Sequence, residues 1–209
     1  MTRRHLDTPR EKPMNEVLPT TQKRDPARDL LLVVDVQNVY LPGNPWACPG
    51  IVSAMNNTVN LLRSPRLPET ILTRFVPPAH PVGRWKKYNE ETAQINRDAF
   101  LCRLAKPVLA VSEGKAVAEK STYSAFKCPE VRSALEGKEA VALAGVVAEC
   151  CVLSTLLDAI DLGYEVVYLH DCIAGQSVEA EQMVSQLAKR FSPVHTRFMS
   201  SEEYLSALL

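Results

Sequence analysis

The sequence predicts an α/β protein, a three-layer αβα arrangement around a mainly parallel central sheet. Apolar runs of strand length alternate with segments whose apolar residues recur at helical spacing. The runs LLLVV and AVALAGV are apolar throughout, as strands covered on both faces must be. Polar residues able to do chemistry stand just beyond the carboxyl ends of these runs, where an open parallel sheet has its ligand crevice.

The elements follow in order. Residues 1–27 are polar, rich in Arg, Lys, Pro and Thr, and lack apolar periodicity, so they read as a flexible N-terminal tail ahead of a single domain at 28–209. A chain of 209 residues suits one core. From Leu30, LLLVVDVQ is a buried strand with Asp35 at its end, and a Pro/Gly loop leads to Ile51, Met55, Val59 and Leu62, spaced as on a helix. ETILTRF is a second strand, followed by a loop carrying Pro77, Pro78 and Pro81 that reads as a lid or wall. A short extended piece ends at Lys120, and CPEVRSAL begins a helix near Pro129. EAVALAGV and EVVYLHD are further strands, separated by the helix VLSTLLDAIDLG, which Gly163 stops. VEAEQMVSQLAKRF is a helix, and a serine cap opens the closing helix SEEYLSALL.

Lys plus Arg equals Asp plus Glu at 24 each, so no overall field draws the chain to nucleic acid or an anionic membrane, and a small neutral or zwitterionic partner is expected. The apolar runs are far short of the roughly 20 residues of a membrane span, and the start lacks the apolar stretch of a signal peptide. The 6 cysteines have no disulfide-scaffold spacing and no C-x-x-C pair, which fits reduced thiols in a cytoplasmic protein and gives no support for a metal.

Cys151 stands where a buried strand turns into a helix, a position that favours thiolate and so suits a nucleophile. Read locally, it could equally be a small core residue. Asp35 needs a partner or a task at the end of an apolar strand, or it caps a turn. Lys120, alone, reads as an ordinary surface charge. Together the three form a mechanism in which Lys120 sits between Asp35 and Cys151 while Asp35 carries a proton from the thiol to the leaving amine. Arg74 is a candidate for orienting a carboxylate or carbonyl, or a structural partner of Asp35 or Glu149. Gln37, Trp85, Tyr88, Tyr123 and Phe126 are candidate substrate contacts, and the aromatics could instead be core or subunit contacts.

The strings VVDVQN, KSTYSAF and GVVAECCVLSTLLDAIDLGYEVVYLHD resemble, in order and spacing, the isochorismatase-like cysteine hydrolases, a family of nicotinamidases, N-carbamoylsarcosine amidases, and biuret and ureidoacrylate hydrolases. The resemblance spans about residues 28–205 and implies a catalytic Asp35, Lys120 and Cys151, with Val152 completing the family's Cys-Val pair. It also implies a cis peptide between Val146 and Val147, an oxyanion hole from the N–H groups of Val147 and Cys151, no cofactor, and a homo-oligomer, dimer or tetramer. The expected reaction is C–N cleavage of a small amide, ureido or carbamoyl compound through a thioester. The alternatives are vinyl ether hydrolysis, as in isochorismatase proper, and a catalytically silent binding protein on the same fold. Two departures stand out: Ala148 replaces the family's Thr, and Thr73-Arg74-Phe75 replaces the Asp-x-His metal motif of nicotinamidases, so no metal is implied.

Overall fold

Strand LLLVV is fully covered in the computed structural model, which describes residues 23–209. It is the core of β1 (Asp29–Val34), the third of six parallel strands in the order β3-β2-β1-β4-β5-β6. After β1 come α1 (Ile51–Leu62), β2 (Glu69–Phe75), the short helices α2 (Arg84–Glu91), α3 (Ala93–Asn96) and α4 (Lys106–Leu109), and β3 (Ala116–Lys120). The second half runs α5 (Pro129–Ala134), β4 (Ala140–Val146), α6 (Leu153–Asp161), β5 (Glu165–Ala174), α7 (Val178–Arg190), β6 (Thr196–Met199) and α8 (Ser201–Ala207). Because side chains alternate across a strand, β1 feeds two cores: Leu31 and Val33 join α1 and α8, while Leu30, Leu32 and Val34 join α5 and α6. This is the expected three-layer αβα sandwich.

Residues 1–22 of the expected tail lie outside the described residues. Residues 23–27 are held. Arg24 bridges to Leu208, and its guanidinium binds Asp29 and Glu165, at 2.9 and 2.7 Å. The anchored chain therefore begins ahead of residue 28, through ion pairs to β1 and β5 that no hydrophobic pattern announces.

The long Pro-containing loop carries α2, α3 and α4, and the chain after Ser192 adds β6. Neither was legible as an element: RWKKYNEE has charges on all sides, and a four-residue strand is too short to show alternation.

At Gly145 the backbone adopts φ 112°, and an added Cβ would lie 2.0 Å from the Val34 carbonyl oxygen. Only glycine lets β4 approach β1 so closely. That approach sets the end of β4 beside Asp35, the residue that follows Val34.

Candidate active site

Asp35 leaves β1 with φ 50°, a left-handed conformation that Asp tolerates better than most residues. It is wholly buried. Its Oδ1 accepts from the Thr73 hydroxyl at 2.8 Å, and its Oδ2 lies 2.5 Å from Lys120 Nζ, with both side chains shut off from solvent. Lys120 ends β3, two strands away, and its Nζ also donates to the Thr122 carbonyl at 3.0 Å and to Cys151 Sγ at 3.2 Å. Three segments distant in sequence thus meet at one ammonium.

Cys151 lies in a π-helical turn, Ala148–Val152, between β4 and α6. Thr155, one turn later, donates to the Cys151 carbonyl at 2.6 Å and accepts the Ala125 N–H at 3.0 Å, fixing the turn to the chain after Lys120. The Val146–Val147 peptide is cis. The Val147 carbonyl accepts from Cys150 and Val152, whereas the Val147 amide finds no acceptor among the described residues.

The electrostatics amend one expectation. The start of a helix favours thiolate, yet burial, joined by the Asp35 carboxylate, pushes the Cys151 thiol well up from its ordinary range, and Lys120 offsets only part of this. Cys151 therefore rests as a thiol. Burial alone would lower the Lys120 ammonium, but Asp35 and then Cys151 outweigh it, and the net direction is up. Lys120 therefore stays charged.

The aromatic candidates divide. Trp85 and Tyr88, one turn apart on α2, meet edge to face at 5.3 Å, and Trp85 meets Tyr123 at 5.0 Å. Phe75 packs on both residues of α2, and Lys120 Nζ lies 5.7 Å from its ring centre. Burial and the neighbouring thiols, Cys151 among them, push the Tyr88 phenol to about 12. The Tyr123 phenol also shifts up, by burial and then by Cys150 and Cys151. These residues form an aromatic cluster around Phe75, on the side of the site where Lys120 stands. Phe126 is not part of it: it is buried in the core against Tyr164, beneath α6.

Two polar candidates are also committed elsewhere. The Gln37 amide donates to the carbonyls of Phe75 and Cys102 and accepts the Phe75 N–H, so it ties β2 to the following loop and has little left for a substrate. Arg74 alternates away from Thr73 and Phe75 and pairs with Glu119 of β3, not with Asp35 or Glu149. It faces away from the thiol.

Four contributors were missed. Thr73, Thr122 and Thr155 hydrogen-bond Asp35, Lys120 and Cys151, and the phenol of the buried Tyr40 is raised by burial and then by Cys151 and Asp35. A hydroxyl within the apolar strand ETILTRF was the one available signal, for Thr73. Tyr40 looks like any core aromatic until the chain folds.

No group of three or more His, Cys, Asp or Glu side chains arranged to hold a metal occurs among the described residues. No helix among them is long and apolar enough to cross a membrane.

Comparison with known proteins gives a consistent picture. Residues 29–198 match the model of the isochorismatase domain. A maleamate amidohydrolase from Pseudomonas putida is 25% identical over 185 residues, spanning 83% of this chain and 84% of the relative. A cysteine hydrolase from Pseudomonas syringae pv. phaseolicola superposes with a TM-score of 0.78 at 18% identity, covering 88% of this chain and 93% of that one. N-carbamoylsarcosine amidase from Thermoplasma acidophilum gives 0.63 at 19% identity, with 84% and 97% covered, so these two share the fold.

Proposed function

The chain belongs to the isochorismatase family of hydrolases, and from that premise we propose that it is a cysteine amidohydrolase, cleaving the C–N bond of a small amide, ureido or carbamoyl compound. The observation that carries this reading is the buried chain of contacts from Asp35 Oδ2 to Lys120 Nζ to Cys151 Sγ.

Each residue then has a task. As Sγ attacks the acyl carbon, the thiol proton passes to Asp35 Oδ2, the carboxylate oxygen that accepts no hydrogen bond of ordinary geometry. The N–H groups of Val147 and Cys151 receive the oxyanion of the tetrahedral intermediate. Asp35 returns the proton to the departing nitrogen, the C–N bond breaks, and ammonia or an amine leaves behind a thioester on Cys151. Water then attacks the thioester, giving its proton to Asp35. The acid departs and the thiol is restored. Lys120 holds its charge throughout and balances whichever of Asp35 and Cys151 is anionic.

The relatives support the chemistry by their names, maleamate amidohydrolase and N-carbamoylsarcosine amidase. Ammonia release from a panel of small amides tests the reading. Cys151→Ala should lose about three orders of magnitude or more of that activity. Unchanged ammonia release in this variant would refute the proposal.

A further inference from the structure

The ammonium beside the thiol is already engaged. Lys120 Nζ donates to Thr122 O and Cys151 Sγ at 3.0 and 3.2 Å, and its charge is paired with Asp35 Oδ2 at 2.5 Å. Little of that charge is left for a carboxylate on the substrate. The two charges facing the sulfur, Asp35 and Lys120, also cancel.

Arg74, Lys86 and Arg97 look elsewhere. Arg74, the residue best suited to clamp a carboxylate, is paired with Glu119 on the opposite side of the sheet. Lys86 and Arg97, with His80 and Glu90, line an open depression of about 410 Å³ that shares no lining residue with the catalytic group. On α2 this follows from the spacing: Trp85 and Tyr88 face inward, so Lys86 and Glu90 face out. On the Lys120 side of the site stands aromatic surface: Phe75, 5.7 Å from Lys120 Nζ, with Trp85 and Tyr88 packed on it and Tyr123 against Trp85.

We propose that the acyl group accepted at Cys151 is uncharged and flat: an aromatic or alkenyl carboxamide, or a neutral ureido compound, without a free carboxylate. An anionic tail would lose its water beside an ammonium already paired with Asp35, whereas a planar neutral group can stack on the aromatic walls. The inference deepens the cysteine amidohydrolase reading and rests on it.

A matched pair of substrates tests it. Maleamide and maleamate have nearly the same shape and differ by one charge. The full-length enzyme should favour maleamide in kcat/KM by about tenfold or more, as expected when one ligand leaves a buried charge unpaired. Maleamide should therefore release one ammonia and halt at the charged product. Trp85→Ala should raise KM for benzamide by about tenfold with a smaller change in kcat, and Trp85→Phe should restore most of it. Maleamate used as well as maleamide, or two ammonia released at equal rates, overturns the inference and leaves the amidohydrolase standing. An unchanged KM in Trp85→Ala overturns the aromatic part. If no amide yields ammonia and none acylates Cys151, the underlying reading falls and this inference with it.

Discussion

A carboxylate and an ammonium, both without solvent contact, pair beside the Cys151 thiol, with the ammonium between the other two groups. Such a pair is costly to bury and costlier to break, because removal of one partner leaves the other charged and dry. Lys120→Met should accordingly lower unfolding free energy by about 3–5 kcal/mol in chemical denaturation. Asp35→Asn separates reactivity from catalysis. The Asp35 carboxylate disfavours the thiolate, so its loss should bring the Cys151 pKa down, and alkylation by iodoacetamide at neutral pH should be faster than in the parent. Ammonia release should nevertheless fall by about two to four orders of magnitude, since the proton shuttle is gone. In the parent, alkylation without substrate should be slow at neutral pH and accelerate as pH rises through and above the ordinary thiol range.

The strands and turns place these residues, and their constraints are local. Gly145→Ala would drive a methyl into the Val34 carbonyl, so this variant should be destabilised by several kcal/mol, about the size of the larger core effects, or fail to fold. Arg74→Ala, at a half-exposed cross-strand pair, should change kcat/KM by less than about threefold. At the start of β5, burial would raise the Glu165 carboxyl, but hydrogen bonds from Arg24 and Arg197 outweigh it and the net shift is down. A carboxyl depressed in the folded state stabilises the protein above its unfolded pKa, and this contribution is lost as pH falls through the folded value. Glu165→Gln should therefore flatten the decline in stability on acidification below about pH 4.5, read from urea unfolding at a series of pH values.

For the whole molecule, the sheet was legible because its central strands are buried on both faces and so are apolar at every position, as LLLVV and AVALAGV are. Asp35, Lys120 and Cys151 were legible as a set, since strand ends in such a sheet converge on one edge. Side-chain direction was not. Phe126 and Trp85 are equally aromatic in sequence, yet one supports α6 from the core and the other walls the site. Arg74 and Gln37 sit close in the chain or sheet to Asp35 and Lys120, but strand alternation turns the first away and backbone hydrogen bonds consume the second. The anchoring of Arg24 depends on Glu165, a partner 141 residues distant, which no local pattern reveals.

In the proposed mechanism Cys151 carries the acyl group between two half-reactions. Intact-protein mass spectrometry of enzyme quenched during turnover of benzamide, followed by peptide mapping, addresses it directly. The expected result is a transient mass increase equal to the benzoyl group on the peptide containing Cys151, absent from Cys151→Ala, which also releases no ammonia above background. Steady ammonia release by Cys151→Ala, or turnover by the parent with the acyl group mapped to another residue, would contradict it.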